Sequence, residues 1–217
     1  MFQFTEEFKR FARKITGDHG PEIRHMQQRD LDEVLRLIRL HDSDDYKAAQ
    51  QSFKHTRFDE PLDVMANFVL IDPEEQRPVA VAGYYIEDLE ARGVYWLGWT
   101  YVNPFFRGRG YGGALMEFVL QALQSIGARK CFLTTSSLPK YETAVGFYKR
   151  YGFVVEGQLR DFYNPGEDQL IMGVNLATVP QFKNRNWPKM TPKPRTRPID
   201  EQPRRPEDDD DNVVFEF

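Results

Sequence analysis

Residues 94–115, VYWLGWTYVNPFFRGRGYGGAL, carry the strongest signal in the chain. An apolar, β-branched and aromatic run ends at Asn103-Pro104. A glycine-rich turn holding Arg107 and Arg109 follows, and a helix-like stretch runs on from Ala114. A strand that feeds a helix through such a turn presents several unpaired backbone N–H groups, with the helix dipole behind them. That arrangement suits a phosphate or pyrophosphate. Glycine is needed there because a Cβ would hold the anion away from the backbone.

Spacing narrows the ligand. Gly108, Gly110 and Gly113 satisfy G-x-G-x-x-G, but a dinucleotide fold wants an acidic residue closing the next strand, about 20 residues on. The next strand, Lys130-Cys131-Phe132-Leu133-Thr134-Thr135, ends without one. No Gly-Lys-Ser/Thr follows the loop, which excludes a Walker site. The pattern that fits is R-x-x-G-x-G, read from Arg107, Gly110 and Gly112. Here the chain resembles the GNAT acetyltransferase superfamily, whose signature loop has this form and grips the pyrophosphate of acetyl-coenzyme A.

A second segment resembles the same family. Residues 141–153, YETAVGFYKRYGF, look like its later helix: Ala144, then Phe147-Tyr148, then Gly152-Phe153 opening a new strand. Ala144, Phe147, Tyr148 and Tyr151 recur at helical spacing, Pro139 suits a first turn and Gly152 a helix stop. A core aromatic on an amphipathic helix is the alternative account of Tyr148. The resemblance covers about Glu22 to Leu176. It implies acetyl-CoA as co-substrate, bound by Tyr101, Val102, Arg107, Gly108, Arg109, Gly110, Tyr111, Gly112 and Gly113. It also implies Tyr148 as the catalytic proton donor to the departing thiolate, and no metal.

The 217 residues carry a formal charge of −4, so nothing points to broad nucleic-acid binding. No apolar run approaches a membrane span, and the N-terminus lacks the apolar core of a secretion signal. Cys131 is the only cysteine, which makes a cytoplasmic setting the default expectation. Three parts are expected. Residues 1–20 hold an amphipathic helix, with Phe4, Phe8, Phe11 and Ile15 on one side and Lys9, Arg10, Arg13 and Lys14 beside them, then a Gly-rich linker. This helix suits docking on its own domain or on a second subunit, or a membrane surface. Residues 21–179 form the acetyltransferase-like domain. Residues 180–217 are a proline-rich charged tail ending in an acidic block, too poor in apolar residues to offset its ordering entropy. It reads as disordered or wrapped on the domain, and either a solvated tail or a docking peptide suits its end.

Within the body, Glu22–Met26 alternates like a strand. Asp30 is placed to cap a helix with Glu33 three residues later, and Leu31, Val34, Leu35 and Ile38 form its buried stripe. Residues 67–71 and 79–86 read as a hairpin about Asp72-Pro73-Glu74-Glu75. A strand at 94–102, a strand at 130–135, a helix at 139–151 and a hairpin of 153–163 with 169–175 about Asn164-Pro165-Gly166 complete the order. The order β-α-α-β-β-β-α-β-α-β-β implies a mixed α/β class: a mostly antiparallel twisted sheet with helices on both faces. It matches the fold of the resembled family.

Moving an acetyl group from a thioester to an amine needs a positioned thioester, a neutral amine, a donor to the carbonyl oxygen and a proton for the thiolate. A phenol suits the last task, being neutral at pH 7 with a pKa near or above that of a thiol. By resemblance, a backbone N–H near Tyr101 or Val102 polarises the acetyl carbonyl. Arg107 is expected to bind phosphate through its backbone, with its side chain as a further contact. For Arg109 a phosphate contact and a solvent-facing side chain are equally open, while Phe105 and Phe106 pack or shape the cofactor mouth. The base is harder to read. Members of the family often carry a glutamate in the strand before the loop, and residues 94–102 contain no acid. Glu87, Asp88, Glu142, Asp161 or a water chain remain. For the acceptor, Asp42, Asp44 and Asp45 would attract a cationic amine, or else Ser43 or Asp44 caps a helix. Asp161 belongs to a second candidate wall, whose alternative is turn chemistry. The expected function is acetyl transfer from acetyl-CoA to a primary amine, a small cationic amine or amino acid, in a ternary complex. Acetylation of a protein lysine or N-terminus, and a non-catalytic acetyl-CoA-binding module, are the alternatives. The expected partner is a small amine, with no nucleic acid and no membrane span; a homodimer is left open.

Overall fold

The computed structural model describes residues 20–54 and 64–179. The readings of the N-terminal helix at 3–15 and of the tail from 180 lie outside the described residues. Strand β1 (Glu22–His25) leads through a 3-10 turn (Gln28–Asp30) into α1 (Leu31–Arg39) and α2 (Ser43–Lys54). Next come β2 (Met65–Ile71), β3 (Pro78–Tyr85), β4 (Val94–Leu97), β5 (Tyr101–Val102) and α3 (Tyr111–Ser125). Then β6 (Lys130–Ser136), α4 (Glu142–Arg150), β7 (Val154–Asn164) and β8 (Glu167–Asn175) close the domain. The sheet order is β1-β2-β3-β4-β6-β8-β7, with β5 paired to β3. Among the described strands only β4 and β6 run parallel.

Helices cover both faces of β2 and β3, so these strands read as nearly unbroken apolar runs. In β2, Phe68 and Leu70 pack toward α3, while Val69 and Ile71 pack toward α1 and α2. Helix α3 is apolar almost all round and sits deep, with Leu115, Met116, Val119, Leu120 and Leu123 no more than 1% exposed. Helix α1 buries Val34, Leu37 and Ile38, so Leu37 replaces the expected Leu31 and Leu35, which are only partly covered.

The expected element order holds, with four local corrections. Asp30 does not cap α1 through its side chain. Its carboxylate instead accepts two bonds from Arg24, at 2.6 and 2.8 Å, and one from the Gln27 amide, an ion pair that outcompetes the cap. Residues 43–45 form the first turn of α2, and the cap is Asp42 in place of the expected Ser43 or Asp44: its Oδ1 accepts from the Asp44 and Asp45 amides. The helix expected from 139 begins with a 3-10 turn (Pro139–Tyr141). The strand expected over 94–102 is broken. Between the pairs Tyr84·Leu97 and Val81·Tyr101, three residues, 98–100, face two of β3. That is a bulge, which bends a strand and re-aims the residues beyond it.

Candidate active site

The bulge opens the sheet. Strand β4 pairs β6 only from Val94 to Trp96. Beyond it β5 stays with β3, whereas β6 runs on to Ser136 beside β8, so the facing edges of β5 and β6 are unpaired. The Asn103 amide donates to Val79 O at 2.9 Å. By antiparallel alternation Val102 then turns its N–H and C=O away from β3, toward the opening. The Val102 carbonyl accepts from His41 Nε2 at 2.9 Å. Arg107 Nη2, which can only donate, lies 3.2 Å from His41 Nδ1. His41 is therefore neutral, with its proton on Nε2. Burial lowers its pKa first, and Arg107 lowers it further against the opposing Val102 bond.

The loop between β5 and α3 takes its shape from glycine. Gly108 and Gly110 lie at φ 76° and 82°, a left-handed region that other residues enter at a cost. Gly110 is the residue before α3, which has no side-chain cap. Its first amides therefore have no intrahelical partner and point outward with the positive end of the dipole. A Cβ on Gly112 would come within 3.2 Å of Val102 Cγ2 and 3.8 Å of the Phe147 ring. The loop, β5 and α4 thus meet closely at this point, where an added Cβ would push against the Val102 side chain.

The two loop arginines part company. Arg107 is exposed and leans on His41. Arg109 turns inward, over the Phe106 ring at 4.7 Å and 3.5 Å from Asp72 Oδ2, with its side chain 8% exposed. Asp72, 1% exposed, also accepts from the Tyr111 hydroxyl at 2.6 Å and from the Glu74 and Glu75 amides. The β2–β3 turn therefore braces the glycine loop on both sides of Gly110, where it enters α3. Phe106 is buried and Phe105 exposed, so the packing role falls to the first of these.

Tyr148 projects from α4 between Phe147 and Phe153, with ring centroids 5.5 and 5.9 Å away. Its ring packs against the main core, and desolvation pushes the phenol up to about 12. No hydrogen bond engages the Tyr148 hydroxyl among the described residues. Tyr101 reaches to the other face, where its hydroxyl donates to Asp45 Oδ2 at 2.8 Å. Its ring lies 4.8 Å from His41 and stacks on Trp99.

Of the acidic candidates, Asp45 meets β5 and Asp42 caps α2 beside it. Asp44 is exposed and pairs with Lys47 at 3.4 Å. Asp161 braces its own hairpin: its carboxylate accepts from the Gly166 amide, and its amide donates to Asp168. Glu167 takes a bond from Ser136 at 2.7 Å, which ties the β7–β8 hairpin to the end of β6. Glu87 and Asp88 follow β3 at its far end from β5, and Glu142 is exposed on the first turn of α4. Sequence reading missed Asp72 and the His41 ring as parts of this site. Asp72-Pro73 signalled only a turn, and the one hint was a second loop arginine without an assigned partner.

The residues present fit acetyl-coenzyme A: an uncapped helix start behind two left-handed glycines, a strand edge with a free amide and an unengaged phenol. The model of the acetyltransferase (GNAT) family matches residues 34–153. Solved structures with the same fold include a protein assigned to the GNAT acetyltransferases of Desulfovibrio desulfuricans, 24% identical over 72% of this chain and 99% of that one, with TM-score 0.66. Another is the ribosomal-protein-S18-alanine N-acetyltransferase of Escherichia coli (18%, 76% and 99%, 0.59). A third is an aminoglycoside 6'-N-acetyltransferase complexed with coenzyme A (14%, 71% and 96%, 0.55). A search of curated protein sequences found no match. No described helix is long and apolar enough to cross a membrane, and the described residues hold no cluster suited to a metal ion. The family match spans more than half of the chain and rests on the segment that builds this opening: the chain belongs to the acetyltransferase (GNAT) family, and the protein is an acyltransferase.

Proposed function

We propose that the protein transfers the acetyl group of acetyl-CoA to the primary amine of a small cationic molecule or amino acid, by direct attack within a ternary complex. The observation that carries this is the unpaired edge of β5 beside the glycine loop, where Gly112 meets Val102 and the α4 ring of Phe147, the residue before Tyr148. Acetyl-CoA supplies the activated thioester. Amides of 108–113 bind its pyrophosphate, with Arg107 swinging from His41 as a further contact, and the Val102 N–H polarises the acetyl carbonyl. Asp72 and Arg109 hold the loop in place from beneath. Tyr148 gives its proton to the sulfur as the carbon–sulfur bond breaks. A phenol pushed up to about 12 is fully protonated at neutral pH, so it stands ready to hydrogen-bond the sulfur and give it the proton, which the acceptor nitrogen then replaces. The Asp42 and Asp45 carboxylates at the start of α2, beside β5, favour a cationic acceptor.

Thiol release is measured across diamines, amino acids and short peptides, and Tyr148→Phe is compared on the best acceptor. The variant should lose about 100-fold in kcat, within the usual range for a general acid, with acetyl-CoA affinity unchanged. Silence of the parent with every amine would sink the proposal. A Tyr148→Phe rate equal to the parent's would remove the proton-donor assignment.

A further inference from the structure

A GNAT strand without an internal carboxylate leaves the acceptor's proton without a destination, and the residues expected to take it lie elsewhere. Glu87 and Asp88 are at the far end of β3, and Asp161 is locked into its hairpin. One carboxylate does reach β5. Asp45, on the first turn of α2, meets the Tyr101 hydroxyl across 56 positions of sequence. Tyr101 belongs to the two-residue strand whose neighbour, Val102, turns its amide into the opening.

We propose that Tyr101 and Asp45 form the proton-accepting pair for the acceptor amine, Tyr101 as the relay and Asp45 as the terminus. The idea rests on the acetyl-transfer reading above. The Tyr101 oxygen donates its hydrogen to Asp45 and keeps lone pairs to receive another. An ammonium hydrogen-bonded to that oxygen passes one proton to it while the phenolic proton moves to Asp45. The nitrogen, now neutral, bonds to the acetyl carbon as the carbon–sulfur bond breaks. Sulfur takes the proton of Tyr148, and the second nitrogen proton restores Tyr148. One proton therefore ends on the thiol and one on Asp45, which returns it to solvent.

The surroundings agree with this division of labour. Burial, then Asp45, then Tyr148 and Tyr141 all raise the Tyr101 pKa, so the phenol works by relay and never as a free phenolate. The other groups facing the pair are His41, held neutral; Arg107, beyond that ring; and Asp42 and Asp44 at the start of α2. Trp99 stacks on the Tyr101 ring and the His41 ring tilts against it, so its hydroxyl is fixed in direction.

The test uses the full-length chain with 1,4-diaminobutane and the best other acceptor of the panel. Asp45→Asn, Tyr101→Phe and the double variant are assayed from pH 6.5 to 9.5, alongside acetyl-CoA binding by calorimetry. We expect each single variant to lose about 100-fold in kcat at pH 7, the double variant to lose no more than either, and acetyl-CoA affinity to stay unchanged. The deficit should shrink at least tenfold by pH 9.5, where solution supplies neutral amine. A deficit that is constant with pH, additive losses or parent-like rates would overturn the pairing. An inactive parent that still binds acetyl-CoA would overturn the acetyl-transfer reading itself, and the pairing with it.

Discussion

Asp72 sits at the base of the glycine loop, and removing it should loosen the loop from below. Its carboxylate is 1% exposed and serves the Tyr111 hydroxyl, two turn amides and the Arg109 guanidinium. In Asp72→Ala all four lose their acceptor, and the Arg109 charge, 8% exposed, is left buried without its carboxylate. Breaking a buried ion pair from one side costs about 3–5 kcal/mol. A urea midpoint would fall by about 2 M for a slope of about 2 kcal/mol per molar. Tyr111→Phe removes a single charge-assisted bond and should cost only about 1.5–3 kcal/mol. Acetyl-CoA affinity should fall in the same order, because both variants free the first turn of α3. Arg109→Met combined with Asp72→Ala should recover part of the loss, since no unpaired charge then remains. Equilibrium urea unfolding and calorimetry with acetyl-CoA measure both quantities. An Asp72→Ala midpoint within about 0.5 M of the parent's would refute the reasoning, as would a double variant weaker than the sum of its parts.

Gly110→Ala forces a Cβ into a left-handed residue at φ 82°, so it should cost about 1–2 kcal/mol of stability and at least tenfold in acetyl-CoA affinity. Thermal melts and calorimetry check this, and unchanged affinity would show that the Gly110 conformation does not matter for binding. Stability should also fall on mild acidification. Burial lowers His25 to about 4 and lowers His41 as well, so the unfolded chain takes up these protons first as pH drops below about 6.5. The stabilisation is complete above that pH and is lost toward pH 4; at pH 5 the His25 share is about 2 kcal/mol. Urea midpoints at pH 7.5 and 5 report it, His25→Gln should flatten the difference, and an equal midpoint at pH 5 would contradict it.

Local chemistry made much of this protein legible in its sequence. The glycine loop could be read because left-handed turns, helix starts and unpaired amides depend on a handful of consecutive residues. The same holds for the 164–166 turn and for the alternation of residues 22–26, since period and turn type are properties of short segments. The family resemblance drawn from the loop and from residues 141–153 rested on such local patterns, and the match over residues 34–153 agrees with it. What stayed hidden depends on residues far apart. The break in the 94–102 strand appears only when its register against β3 is known, because a bulge is a mismatch between two strands. The Arg109 direction is set by Asp72, which lies 37 positions earlier and is buried by the β2–β3 turn. Asp45 read as one of three interchangeable acids. Folding gave each a different neighbour: amides of its own helix for Asp42, Lys47 for Asp44 and Tyr101 for Asp45. A side chain's type states what it can bond, but only the packed chain decides which partner reaches it and how much water is excluded when it does.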